Sequence, residues 1–334
     1  MGAMKNTAIE QQEQNAAPVP YESSPKNDLI QKLISKDFHL SYSKLKHLTS
    51  PVNFINAMLE PKTKNAGMTL GTIVDCLLLT EEKFEREFSV VKSAPTTDLQ
   101  VNFVTTVIDK MKMESVDDQE LFQEKFDEAY GECYKKGSSD SLDHLKDYII
   151  ALIQGKEVIS SDDYEKAKKI VERLKNADEV CDELAEMESF QKKLEFKYKG
   201  WNFICFLDTY FPGGFDDLKF ASDCSPDKYQ RDLEKFCYDI QIGVYAIGFE
   251  VIYGNFNPTV KHIVYDAVGN YGVYPIDSAY VDYCKRKVDF MISCLDHMIT
   301  KKAFDKSYNF FRRQHIIYKP KWAPGFDHTI FNEE

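Results

Sequence analysis

Three groups of residues have the types and spacing to do chemistry together. Asp208 closes an alternating apolar and polar run, KLEFKYKGWNFICFLDTYF, and Asp217-Leu218-Lys219 follows just beyond Pro212-Gly213-Gly214. A strand's side-chain period of two puts Asp217 and Lys219 on one face and turns Leu218 to the core. The Pro-Gly-Gly turn predicts that FDDLKFAS returns as an antiparallel hairpin partner, bringing Asp208 next to Asp217. Two carboxylates at one spot repel unless positive charge lies between them. A hard divalent cation meets that need, with the Leu218 carbonyl as a further oxygen ligand. Such an ion lowers the pKa of bound water and stabilises a phosphoryl transition state, and Lys219 would orient the water or neutralise the phosphate. Gln241 and Tyr245, four apart in FCYDIQIGVYAIGF, share a helical face. Plainer explanations stand beside these. Asp216 and Asp217 could be turn residues after Gly-Gly with Lys219 exposed, and Tyr245 could be core with Gln241 its hydrogen-bonded neighbour.

The elements that must position these residues follow from periodicity. Residues 1–36 are rich in Gln, Asn, Ala, Pro and Ser and read as a disordered tail. Ser41 or Ser43 caps a short helix, and Pro51 restarts the chain after it. GMTLGTIVDCLLLTEEKFEREF places Leu70, Ile73, Val74, Leu77 and Leu78 on one helical face. Residues 109–190 read as a helical, acidic insertion, with eight acids and one lysine between Glu114 and Glu132 forming a solvated face. Ser160 or Ser161 opens a helix with acids in its first turn. Strand chemistry begins at Phe190, Pro226 opens a long helix through about Phe249, and KHIVYDAV and YGVYPID are strands before a last helix from about Ser278 to Met298. The expected fold class is α/β (α+β), a mixed central sheet flanked by helices with a helical N-terminal elaboration. A single domain is expected over 37–322 with its catalytic core at 190–300, and a second tail at 323–334.

Composition narrows the function classes. The chain has 334 residues, 43% of them hydrophobic, which is ample for a core. Lys plus Arg total 42 against 54 Asp plus Glu, a net charge of −12, so a general nucleic-acid coat is excluded and any such role needs a local basic track or metal ions. Eight cysteines form no C-x-x-C pair and none has zinc-finger spacing to a histidine, which predicts reduced thiols. No apolar stretch approaches the ~20 residues that span a bilayer, and there is no signal-peptide architecture. The expectation is a cytoplasmic protein without membrane contact. No G-x-G-x-x-G, P-loop, H-E-x-x-H or G-x-S-x-G motif is present.

A strand Asp, then D-x-K, then a helix carrying Q-x-x-x-Y resembles the PD-(D/E)XK nuclease superfamily, in the exonuclease VIII (RecE-type) and phage-exonuclease branch related to RecB-type nuclease domains. HLSYSKLKHLTSPVNFINAML resembles that branch's opening segment, MTLGTIVDCLLLTEEKFEREFSVV its next helix, and YDIQIGVY its last motif, so the likeness spans roughly residues 38–300. The resemblance implies a restriction-endonuclease-like fold, Asp208 and Asp217 as ligands of Mg²⁺ or Mn²⁺, and Lys219 as the catalytic lysine. It implies Gln241 and Tyr245 as residues that contact the DNA backbone or brace the lysine, and Glu195 as an acid that supports the site or a second metal. Where this branch carries a metal-binding histidine, the sequence has Asp75, an oxygen ligand that still suits either ion. The scattered cysteines argue against the superfamily's iron–sulfur members.

The resemblance further implies a metal-dependent exonuclease that degrades linear duplex DNA from its ends in a bacterial or phage-infected host. It would resect 5′-ended strands for phage or prophage recombination, hand the product to a single-strand annealing protein, and form a homo-oligomer. A structure-specific endonuclease and a catalytically altered nuclease-fold binding protein are the alternatives. For DNA contacts the sequence offers Lys44 and Lys46, and a track from Lys301 to Lys321. That track holds seven basic residues, among them Arg312 and Arg313, interleaved with Phe304, Tyr308, Phe310, Phe311 and Tyr318. The same segment could instead be a basic tail packed on the acidic helices.

Overall fold

In the computed structural model the described residues are 24–60, 66–112, 114–254 and 257–311. They form two compact units. One holds the described residues up to Glu60 and from Phe290 onward, and the other those within Pro61–Asp289. The first unit begins with helix α1 (Pro25–Ile34), inside the stretch that composition assigned to a tail. The correction has a local cause. The Ser24 hydroxyl accepts the Asn27 N–H, Pro25 occupies the first turn, Asp28 and Lys32 suit the helix dipole, and Leu29 and Leu33 are buried. Strand β1 (His39–Leu40), the single turn α2 (Tyr42–Leu45) and helix α3 (Pro51–Leu59) follow. Ser41 precedes α2, yet its hydroxyl bonds Ser43 rather than capping the helix.

The second unit opens with α4 (Ala66–Leu79), the one-turn α5 (Phe84–Glu87) and β2 (Phe88–Val91). Helix α6 (Asp98–Lys110) comes next, and the acidic stretch from residue 109 carries α7 (Gln119–Cys133) and α8 (Lys146–Ile153). They share a core of Phe103, Val107, Phe122, Phe126, Leu145 and Ile149, leaving the α7 acids outside. A strand the sequence did not announce, β3 (Glu157–Ser160), pairs parallel with β2. Ser160 then caps α9 (Ser161–Lys175), and the chain breaks at Asn176 before α10 (Asp178–Ala185).

The next segment supplies β4 (Ser189–Tyr198), β5 (Trp201–Tyr210) and β6 (Gly214–Ala221). The long helix expected from Pro226 is two, α11 (Pro226–Lys235) and α12 (Tyr238–Tyr253), divided where Cys237 takes a left-handed conformation at φ 60°. Strands β7 (Thr259–Asp266) and β8 (Tyr271–Pro275) precede α13 (Ser278–Thr300). Strand pairing departs from expectation. The hairpin is β4–β5; β6 pairs parallel with β7, and β7 antiparallel with β8. β5 and β6 meet at one bridge, Phe211 to Gly214. Past that corner, side chains of β5 take the place of a ladder. Thr209 Oγ1 accepts the Asp216 N–H and Asp208 Oδ2 the Leu218 N–H, each at 2.9 Å.

Three helices hold these strands. α4 and α9 bury Leu70, Ile73, Val74, Ile170 and Val171 in a cluster with Leu218, Ile263 and Tyr265. α12 is buried on all sides from Asp239 to Phe249. Its close packing depends on two glycines. A Cβ at Gly248 would lie 2.6 Å from the Phe196 ring, and one at Gly243 would lie 2.4 Å from the Cys284 carbonyl oxygen of α13. The result is a mixed α/β fold of helices and small sheets; in place of one expected central sheet, β4–β5, β2–β3 and the mixed β6–β7–β8 form separate sheets. Among the described residues no helix is long and apolar enough to cross a membrane.

Candidate active site

Strand β6 delivers Asp217 and Lys219 to one face, as their spacing predicts, and their side chains form an ion pair. Both are buried, and Leu218 turns to the opposite, apolar cluster. The turn explanation fails, because Asp216 and Asp217 are strand residues paired with Lys261 and His262 of β7. Lys219 Nζ also donates to the Leu218 carbonyl at 3.2 Å and lies 5.0 Å from the centre of the Tyr238 ring.

From α12, Gln241 Nε2 donates to Asp217 Oδ1 at 3.1 Å and stands 2.9 Å from the Tyr245 hydroxyl. Both residues are buried, so they brace the carboxylate from behind. Gln241 Oε1 is buried without a hydrogen-bond partner among the described residues.

Asp208 arrives beside this pair through its bond to the Leu218 N–H, and its other oxygen accepts from Gln191 Nε2 at 3.1 Å. Gln191 stands between the ladder pairs Phe190–Thr209 and Lys192–Leu207. Its φ of 50° is a left-handed conformation that costs a non-glycine residue about 1–3 kcal/mol. Asp75, on α4, accepts from the Tyr265 hydroxyl at 3.1 Å. Asp75, Asp208, Gln191, Thr72, Lys83 and Phe206 line one cleft of about 360 Å³.

The electrostatics follow from burial. Desolvation, then the charge of Asp208, pushes the Asp75 carboxyl well above its ordinary range, while Lys219 and the Tyr265 bond oppose it. Desolvation also raises Asp208, against Lys219 and its two hydrogen bonds. Lys219 is pulled down by burial and held up by Asp208 and Asp75. Asp75, Asp208 and Lys219 therefore form one interacting charge group, with Asp217 paired directly to the lysine. On the other face of β6, Asp216 is fully buried with neither oxygen hydrogen-bonded, and burial pushes its carboxyl up to about 7.

Among the described residues no three His, Cys, Asp or Glu side chains stand close enough to hold a metal ion. The positive charge beside Asp217 is the Lys219 ammonium. The donor set nevertheless fits a hard divalent cation. Asp75, Asp208, Asp217 and the Leu218 carbonyl offer oxygen only, two of the carboxyls are raised in a way that added positive charge reverses, and Gln241 Oε1 is the kind of orphan acceptor a hydrated ion satisfies.

Other expected residues fall elsewhere. Glu195 is exposed on β4 and paired with Lys193 at 2.6 Å, so Gln191, and not Glu195, is the β4 residue that reaches Asp208. Lys44 and Lys46 lie in the first unit, where Lys44 bonds the His39 carbonyl and covers the Phe38 ring at 4.2 Å, and Lys46 lies 5.6 Å from the Tyr42 ring. In the basic track, Phe304 is buried and Phe310 stacks on His297, while Arg312, Arg313 and Tyr318 lie outside the described residues. Sequence reasoning missed Gln191, Tyr265 and His262, whose ring accepts or donates at 2.6 Å with the buried Tyr229 hydroxyl. No motif marks them; strand pairing alone places them.

A family profile described as a PDDEXK-like domain of unknown function (DUF3799) matches residues 41–306. No curated protein matches the chain. Among solved structures, a crystal structure from Eubacterium rectale described as a "Putative exonuclease" is similar at 14% identity and a TM-score of 0.37, over 68% of this chain and 96% of that one.

Proposed function

The chain belongs to the PDDEXK-like family DUF3799, and from that premise we propose that it is a metal-dependent deoxyribonuclease that hydrolyses phosphodiester bonds at the cleft of Asp75 and Asp208. The observation that carries this reading is the gathering of Asp75, Asp208 and Asp217 around Lys219. Asp75, Asp208, Asp217 and the Leu218 carbonyl would hold Mg²⁺ or Mn²⁺. When bound, the ion supplies a water of lowered pKa and positive charge for the phosphoryl transition state.

The chain's own residues do the rest. Lys219 offers a buried ammonium to the phosphate oxygens as their charge develops. Gln241, held by Tyr245, fixes the rotation of Asp217; Gln191 and the Leu218 N–H fix Asp208; Tyr265 fixes Asp75. Such outer partners decide whether carboxylates stay in a reactive geometry.

The finer reading is an exonuclease on linear duplex ends that resects the 5′ strand in phage or prophage recombination, as a homo-oligomer serving a single-strand annealing protein. It is supported by the motif order and by the opening segment around Ser41 to Pro51. A second reading, a nuclease fold kept for binding alone, is favoured by one observation: Lys219 lies against Asp217 and the Leu218 carbonyl, where an ion would sit. End-labelled linear duplex and closed circular DNA, incubated with Mg²⁺, Mn²⁺ or EDTA and with wild type or Lys219→Ala, separate these readings. Metal-dependent loss of linear DNA alone, absent in the variant, supports the exonuclease. Cleavage of circles as well makes it an endonuclease, and cleavage of neither refutes catalysis.

A further inference from the structure

Strand β5 alternates cleanly: Phe203, Cys205 and Leu207 are buried, so Asn202, Ile204, Phe206 and Asp208 share the other face. On that face Phe206 is 46% exposed, an unusual state for a phenylalanine in a ten-residue strand. It stands two residues before Asp208, roughly 7 Å along the strand, and lines the same cleft as Asp75, Asp208 and Lys83. Its ladder partner on β4 is Lys193, and Lys197 continues the same row opposite Asn202. An aromatic ring at the rim of the cleft, in a row whose β4 members are Lys193, Glu195 and Lys197 with Glu195 paired to Lys193, combines a stacking platform with the net positive charge of that row.

We propose that Phe206 is the positioning residue that stacks on the nucleobase next to the scissile phosphate, with Lys193 and Lys197 guiding the strand along the β4–β5 face toward Asp208. This rests on the reading of the cleft as a nuclease site. It moves the strand-guiding surface from the segment between Lys301 and Lys321 to the hairpin that carries a catalytic carboxylate. A flat ring with no hydrogen-bonding edge selects no base, so the contact is sequence-tolerant and favours unpaired over paired bases.

The test uses the full chain and oligonucleotides carrying 2-aminopurine at the terminal position, whose fluorescence falls when the base stacks. Binding is read with Ca²⁺ replacing Mg²⁺, and turnover with Mg²⁺ or Mn²⁺. Wild type is expected to quench the probe. Phe206→Ala is expected to lose the quench, weaken binding about tenfold and raise KM by a similar factor with kcat nearly unchanged. Phe206→Tyr is expected to restore both. Melting temperatures of the variants should match wild type, because the ring is on the surface. Unchanged quenching and KM in Phe206→Ala overturns the proposal, as does a fall in kcat with KM unaltered or a wild type that does not bind the probe. A wild type that quenches through Phe206 but cuts no DNA leaves this contact standing and removes the nuclease reading.

Discussion

Replacing Asp75 with asparagine should make the metal-free protein more stable and the metal-loaded protein less so. The Asp75 carboxyl is raised chiefly by desolvation and next by Asp208, so its ionised form opposes folding at neutral pH. An amide removes that opposition while its oxygen keeps the Tyr265 hydrogen bond at 3.1 Å. What is lost is attraction to Lys219, which Asp208 and Asp217 still supply. The net gain is of the order of charge-optimising substitutions, about 0.5–2 kcal/mol, or roughly 1–4 °C in melting temperature. The sign of the pH dependence is fixed: a carboxyl raised in the folded state destabilises as pH rises above the unfolded value near 3.9. The variant's advantage in EDTA therefore grows from about pH 4 upward. Saturating Mn²⁺ reverses the order, because wild type gains about 2.7 kcal/mol at a hundredfold excess over Kd and the variant forfeits most of it. Differential scanning fluorimetry from pH 4 to 8.5, in EDTA and in Mn²⁺, measures both. A variant that melts below wild type in EDTA at pH 8 refutes the electrostatic argument. Equal Mn²⁺ gains for the two proteins refute Asp75 as a ligand.

Three further outcomes are expected. Gln241→Ala should cost about 1–3 kcal/mol, the cost of stranding buried partners, and lower kcat more than it raises KM; denaturation and steady-state kinetics check this. Burial holds the His262 imidazole well below its ordinary value, so the folded protein keeps it neutral while the unfolded chain protonates below about 6.5. Wild type should then lose up to about 1.4 kcal/mol per pH unit between 6 and 5 relative to His262→Gln in urea titrations. Gly243→Ala should destabilise by about 1–3 kcal/mol, since its methyl group meets the Cys284 carbonyl, and thermal melts against wild type would show it.

The spacing of Asp217 and Lys219 and the helical register of Gln241 and Tyr245 were legible because each rests on a local period, whereas Asp75 was marked only by the family resemblance. The strand partners were not legible. Pro212-Gly213-Gly214 signalled a reversal, but whether β6 would ladder with β5 or with β7 depends on which apolar face α4 and α9 cover, information dispersed over residues 70–174. Glu195 misled for a related reason: it shares the Gln191 face of β4 but stands four residues along, opposite Ile204 and exposed, while Gln191 meets Asp208. In α1 the composition suggested disorder, and a Ser-Pro cap with two buried leucines outweighed it.

One bond gives the site a built-in reporter. The carboxylate of Asp208 that faces the cleft is also what fastens the Leu218 amide, because no β5 carbonyl ladders there. An ion that draws on that oxygen competes with the amide for the same lone pairs. On the proposed reading, an ion in the cleft would change the exchange rate of the Leu218 backbone proton, and hydrogen–deuterium exchange there would follow loading without any substrate or turnover.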